Sequence, residues 1–465
     1  MNLDKNWAIL KDFVGKAVHH IEAKRNAQVE AFYTSTTKTE VTIRNGDILT
    51  QNLMDDSGVG FRVATSKGKV GFACTNAMEE KAVRVAAEKA YDASKTSSEI
   101  ENFAFAGRRK LPSVAGLFDK RVNEVTVEDA VDIARRAMIA AEDVDKRVIA
   151  KDGHVIFQSR WRGIHNTSGV DFEERESKCI LYLVGSGKQN CEVTPGCSDS
   201  VFSRSSKLTP EKVGRNVGKM VIEMLKPKPL KSFEGTAIFS PEAVSYQPVH
   251  VLIDALKASS VMAGRSPWTK EVGNLVASSN LTIIDNSTLS GGFSSRSFDD
   301  EGSSSRATVL VDRGRLRSFL HDTTSANTLK AENTANASRS AGGFDLVKMI
   351  IGSGYRAKPE IYPSNLLIEG GRKCKEELTS ELQNGVLVES MSGFPQAGSG
   401  LVSAQLSRAF YVKNGQIEHP IKNGMISGNA FDWFRQISQV GNDAKQFSSS
   451  VVPSLQVEQV KMVGL

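Results

Sequence analysis

The sequence predicts an α+β protein, with helices on an antiparallel sheet through about residue 230 and a mostly β, barrel-like domain from there to residue 465. Three observations carry this prediction. Apolar residues recur at helical spacing near the N-terminus. Extended runs are paired through turn dipeptides across the first half. Past Lys226-Pro227-Lys228-Pro229-Leu230, glycine and serine become frequent and short apolar runs alternate with turns. Prolines cannot continue a helix, so this stretch marks a boundary between domains 1–230 (subregions about 1–110 and 111–230) and 231–465.

Trp7, Leu10, Phe13, Val14, Ala17, Val18 and Ile21 fall on one face of a helix. Val29–Tyr33, Glu40–Arg44 and Ile48–Met54 read as strands, with Asn45-Gly46 as a tight hairpin turn. A second hairpin, Phe61–Thr65 with Val70–Cys74, turns at Ser66-Lys67-Gly68-Lys69. Asn76 with Glu79 has the spacing of a capping box for a helix to about Ala93. Thr126 opens a helix that buries Ala130, Val131, Ala134, Ala137, Met138 and Ala141. His154–Arg160 and Val170–Val184 form a strand pair around Asn166-Thr167-Ser168-Gly169, and Thr209-Pro210 starts a third helix. In the second half the runs Thr236–Phe239, Leu281–Ile284, Thr308–Val311, Leu366–Ile368, Val386–Glu389 and Leu401–Val412 predict a closed or strongly curved β domain.

A chain of 465 residues, 40% hydrophobic and 24% charged, suits two or three globular domains. Its net charge of +6 is spread among interleaved acids and bases. That speaks for a mixed solvated surface rather than a nucleic-acid partner. No run of 18 apolar residues predicts a membrane helix. An early acid and the lack of an apolar leader make the cytoplasm the expected location. The five cysteines include one close pair, Cys191 and Cys197, whose spacing fits no common zinc knuckle. Free thiols are the expected state.

Ser240-Pro241-Glu242 leads into a helix running through His250 and Asp254, with Val249, Leu252, Ile253 and Leu256 as its apolar stripe and His250, Asp254 and Lys257 opposite. A His and a carboxylate at i and i+4 can share a hydrogen bond or a metal. Two ligands fall short of a zinc site, so an exposed pair is the plainer reading. Ser297-Phe298-Asp299-Asp300-Glu301-Gly302 sets three acids in a row. They repel one another and need a helix N-terminus, arginines such as Arg306 or Arg339, a partner or a peptide to satisfy them. Asn333–Arg339, including Asn336, reads as a polar loop over the barrel mouth or a contact for the same ligands. Neither a Gly-x-Ser-x-Gly elbow nor a phosphate-binding Gly-x-x-x-x-Gly-Lys-[Ser/Thr] loop occurs. The glycines of Gly352-Ser353-Gly354 and Gly398-Ser399-Gly400 read as ordinary turns.

These blocks, together with Gly314-Arg315-Leu316 and Asp322-Thr323-Thr324-Ser325-Ala326, resemble in order and spacing the TldD/PmbA family of peptidase-complex subunits, also known as modulators of DNA gyrase. The catalytic branch of that family carries a His-Glu-x-x-x-His helix and a metal-binding cysteine near its C-terminus. Anchored on Ser266, its first His falls at Val249, its Glu at His250 and its second His at Asp254. The tail from Gly441-Asn442-Asp443 through Ser448-Ser449-Ser450 to Pro453 holds no cysteine. The resemblance therefore implies the PmbA (TldE) branch: a subunit without catalytic or metal-ligating residues, and without a cofactor of its own. Its partner would be a TldD-like zinc-bearing subunit, and small or unfolded peptides the substrate of the complex. A self-sufficient peptide-binding homodimer is the alternative, and a homodimer is also conceivable when the partner is missing.

Overall fold

The computed structural model describes residues 3–65, 68–189, 192–339, 354–393 and 395–464. Helix α1 (Leu3–Arg25) buries Trp7, Leu10, Val14, Ala17, Val18 and Ile21, the predicted face. The strands β1 (Gln28–Arg44), β2 (Asp47–Thr65), β3 (Lys69–Thr75), β4 (Val148–Asn166), β5 (Asp171–Gln189), β6 (Glu192–Val193) and β7 (Cys197–Ser203) form one sheet. Its order is β3-β2-β1-β4-β5-β6, with β7 also on β5, and all pairs are antiparallel. The pattern predicts two short strands where β1 is a single one. Its polar middle is held by neighbours on both sides, Thr36 facing Asp56 on β2 and Arg160 on β4. The β-branched threonines there suit a pleated surface, and double-sided pairing overrides the lost apolar alternation. Asn45 and Gly46 turn β1 into β2 with φ of 53° and 82°, as an Asn-Gly hairpin requires.

The predicted capping box at Asn76 does not form. Helix α2 (Glu80–Thr96) starts five residues past Thr75, its N-cap is Glu79, and no side chain caps it. The chain is still extended through Thr75, whose hydroxyl accepts from the Ala77 N–H, so Asn76 sits too early to cap. Helix α3 (Val127–Glu142) does carry a complete box, Thr126 with Asp129. Helix α4 (Pro210–Glu223) has its proline in the first turn. Helices α3 and α4 touch at Gly214, where a Cβ would lie 2.1 Å from the Ala137 carbonyl, so only glycine allows this approach. The α1–α2 pair and the α3–α4 pair cover separate apolar clusters along the sheet.

In the second half the strands Phe233–Phe239, Leu455–Gly464, Gly424–Asn429, Leu401–Lys413 and Asn384–Ser392 pair in that order. The last pairs back onto both Leu401–Lys413 and Phe233–Phe239, closing a barrel. The proline-rich stretch is itself an edge strand, Lys228–Pro229, running parallel to Ile421–Lys422. A second sheet stacks Ile283–Asn286 between Ala307–Asp312 and Leu366–Ile368, and the tail strand Ser450–Val452 joins it parallel to Leu366–Ile368. One continuous apolar core joins the barrel interior to two short helices, α5 (Pro241–Tyr246) and α6 (Pro248–Leu256).

Those two helices correct the sequence reading. The helix carrying His250 and Asp254 begins at Pro248, and a separate short helix precedes it because Pro248 has no N–H to continue that one. Helix α6 has no free polar face: Pro248, Val249, Val251, Leu252, Ile253, Ala255 and Leu256 are all buried, while His250, Asp254 and Lys257 are half-buried. No helix among the described residues is long and apolar enough to cross a membrane.

Candidate functional site: a cavity under helix α6

A cavity of about 510 Å³ lies between the first sheet and the helices α5 and α6. Val249, His250 and Ile253 line it from α6, Glu242 from α5, and His154, Tyr182 and Asp199 from the sheet. Phe447 and Ser448-Ser449-Ser450 of the tail close another side, because Ser450–Val452 is held in the second sheet beside Leu366–Ile368. The fold thus brings together the helix and the tail that the sequence sets some 200 residues apart.

Three groups in this cavity, His250, Glu242 and Tyr182, are steered towards their neutral forms. Burial pushes the His250 imidazole down to about 4, with the charge of Lys257 adding to it. Glu242 is pushed up by burial while its Oε1 accepts from Ser198 Oγ at 2.9 Å. Tyr182 is pushed up as well, first by burial and then by Glu242. Asp199 accepts from Lys445 Nζ at 2.6 Å and from Asn216 Nδ2 at 2.9 Å. Asp254 accepts from Ser260 Oγ at 3.1 Å and does not line the cavity. The predicted His250–Asp254 face is therefore divided, with only His250 turned to the open space.

Zinc in the catalytic branch would need about three protein ligands. Two of the three α6 side chains lining the cavity here, Val249 and Ile253, are aliphatic, and the tail supplies hydroxyls. Among the described residues, no three His, Cys, Asp or Glu side chains converge in a metal-holding group. This set does not fit zinc.

The acidic loop lies elsewhere, in the seam between the first sheet and the second half. Phe298, Asp299, Asp300 and Glu301 are all buried. Asp300 Oδ1 takes 2.6 Å from Arg162 Nη1, and Oδ2 takes the Arg339 N–H at 2.6 Å. Glu301 receives Arg62 Nη1 at 2.9 Å and, at 3.0 Å, the Thr323 N–H that opens the helix Thr323–Leu329. Asp299 accepts the backbone N–H groups of Glu301, Ser303 and Ala337. Burial and the charge of Glu301 push it up to about 7. Ser297 donates to Glu174, and Gly302 holds φ at 84°. Arg339 is spent on Glu30 and on the carbonyls of Asp300 and Ala357. Arg306 pairs with Glu332 instead of with the acidic loop. Asn336 donates to Asp285 Oδ2 at 2.7 Å inside the second sheet.

Of the expected partners, a helix N-terminus at Thr323 and Arg339 do meet these acids, while the sequence reading missed Arg62 and Arg162. Arg160 and Arg162 on β4 stand opposite Glu176 and Glu174 on β5. Both pairs are buried ion pairs. Their signal was present: two charges at i and i+2 on each strand, mirrored about the Asn166–Gly169 turn, place all four on one face. Of the cysteines, Cys179 and Cys197 are buried free thiols pushed up to about 12 and 11 by burial. Cys191 and the Gly352-Ser353 turn lie outside the described residues.

A closed barrel fused to a helix-covered antiparallel sheet defines an architecture seen in solved proteins. A Thermotoga maritima protein described as a modulator of a DNA gyrase superposes with a TM-score of 0.86, at 24% identity over 97% of this chain and 100% of its own. TldE from Thermococcus kodakarensis gives 0.85 at 22% identity, over 99% and 100%. In sequence, residues 233–464 match the PmbA/TldA metallopeptidase C-terminal domain, residues 29–94 its domain 1 and residues 120–225 its central domain. The chain belongs to the PmbA/TldD metallopeptidase family. Relatives include an uncharacterized protein of Methanocaldococcus jannaschii, 28% identical over 86% of this chain and 87% of that one. Metalloprotease PmbA of Escherichia coli is 24% identical over 98% and 96%.

Proposed function

We propose that this chain is a non-catalytic subunit of a heteromeric zinc metallopeptidase acting on small or unfolded peptides, with zinc in a TldD-like partner. One observation supports this most: where the catalytic branch would set its metal-binding helix and tail cysteine, α6 and the tail present Val249, a neutral His250, Ile253 and serine hydroxyls to the cavity. A cavity whose helix and tail lack the expected metal ligands suits one wall of a shared compartment, by analogy from family to chain. Peptide could dock by strand addition, which needs only backbone groups. The cytoplasm is the proposed location.

The test is to mix the purified chain with a zinc-bearing TldD-like protein from the same genome. Co-elution with a raised peptidase rate is expected, through an obligate interface of more than roughly 2,000 Å². The chain alone should cleave nothing and carry no stoichiometric zinc by elemental analysis. Separate elution with unchanged rates would favour the peptide-binding homodimer.

A further inference from the structure

A second cavity, of about 60 Å³, opens beside the first, and the two share Tyr362, Ser448 and Ser449. Its wall is charged: Arg160, Arg162, Lys178 and Arg296 against Glu176 and Asp300. The acids are already spent. Glu176 Oε1 takes Arg160 Nε at 2.6 Å and Oε2 takes Arg204 Nη1 at 3.2 Å. Both oxygens of Asp300 are occupied by Arg162 and the Arg339 N–H.

Two of the cations are not spent. Lys178 Nζ has no hydrogen bond or ion pair among the described residues, and stands 5.3 Å from the centroid of the Phe293 ring. Burial pushes it down to about 8, against the pull of Glu176 and with the push of Arg160, Arg204 and Arg162. Arg296 is 8% exposed, and its Nη2 donates to the Ala335 carbonyl at 3.1 Å. Its buried Nε has no partner among the described residues. Asp285, Asp299 and Asp300 also feel Arg296. Burial pushes the first two carboxyls up, while Asp300, held down against burial by Arg162 and then Arg296, already has both oxygens occupied by Arg162 and the Arg339 N–H. None of the three bonds Arg296 Nε. Unpaired donors on buried cations are costly unless an anion completes them. The room left fits a few waters or one small anion and is too small for a side chain.

We propose that this pocket takes the C-terminal carboxylate of a peptide lying in the larger cavity, received by Lys178 Nζ and Arg296 Nε. The proposal rests on the peptide-handling reading above. Charge-assisted bonds from two cations to one carboxylate give both strength and direction. The shared wall of Tyr362, Ser448 and Ser449 lets the chain end reach the pocket while the residues before it stay in the 510 Å³ space.

The experiment is calorimetry on the full chain with two N-acetylated hexapeptides of one sequence, ending in a free acid or an amide, and with inorganic phosphate as a third probe. The acid should bind at least about tenfold more tightly than the amide. Lys178→Gln should abolish that ratio while leaving amide binding unchanged, and Arg296→Gln should reduce it. In the unaltered protein, acetic anhydride labelling of Lys178, read by mass spectrometry, should be slowed by the acid and not by the amide. This readout stands even if a variant fails to fold. Equal binding of acid and amide overturns the proposal, as does no binding at millimolar peptide. Protection of Lys178 by phosphate but by neither peptide also overturns it, since the pocket would then be a small-anion site. The outcome is separable from subunit assembly: the acid preference can fail while partner activation holds, and the reverse.

Discussion

The acidic seam and the α6 cavity treat ionisable groups in opposite ways. In the seam, Glu30, Arg62, Glu301 and Arg339 form one buried set of ion pairs and Asp300, Arg162 and Glu174 another, and hydrogen bonds from Arg339 to Asp300 link the two. In the cavity, His250 and Glu242 are pushed towards neutrality and the α6 wall is largely aliphatic. The seam spends its charges on fixing the first sheet against the second half. In the cavity the ion pair Lys445–Asp199 sits on the sheet and tail side, away from the largely aliphatic α6 wall. Conspicuous acids in a sequence can thus be structural.

The largest effect should come from breaking the seam. Arg162→Ala leaves Glu174 and Asp300 buried beside an empty space, and should cost about 3–5 kcal/mol in urea unfolding. A loss below about 1 kcal/mol would mean that the seam charges reach water. Next come His250 and His321, each pushed down to about 4 by burial from 6.5. Folding favours their neutral forms, so the unfolded chain takes up protons first as pH falls. Their contribution is present above pH 6.5 and is lost between about pH 6.5 and 4, by up to roughly 3 kcal/mol for each group. His250→Gln should flatten that acid limb in unfolding measured across pH, and an unchanged slope would show His250 to be well solvated.

The cavity should tolerate loss of charge. Glu242→Gln at pH 7 removes a carboxyl already driven towards its neutral form, so a change within about 1 kcal/mol is expected. A larger loss would mean that the carboxylate is ionised and paired. Smallest of all is the gain from rebuilding two ligands. Val249→His with Asp254→His should hold zinc weakly and hydrolyse no peptide, since position 254 does not line the cavity and no glutamate stands where His250 is. A general base is worth typically 10²–10⁴-fold. Chelator-sensitive hydrolysis by this double variant would show that the rest of a catalytic site is present after all.

Much of the architecture was legible in the residues. Helical spacing located α1 and α3, and Asn45-Gly46 located the first hairpin, because each depends on neighbours within a few positions. Strand lengths were not legible. The polar centre of β1 stays extended only because β2 and β4 flank it, which no local window records. The Asn76 cap failed for a similar reason, since the pairing of β3 with β2 through Thr75 delays the helix. The burial of α6 depended on the barrel behind it, and the seam on pairs up to 309 residues apart, such as Glu30 with Arg339.

The closure of the barrel sets a timetable for the ribosome. The strand Phe233–Phe239 leaves the exit tunnel early, yet one of its neighbours is Leu455–Gly464, synthesised roughly 220 residues later. At about 5–20 residues per second, its open edge waits for roughly 10–45 s of translation. Throughout that interval Ala237 and Phe239, which end fully enclosed, have no barrel to enter. The nascent second half is therefore a natural client for a holdase chaperone, whereas the first sheet has all seven of its strands by residue 203.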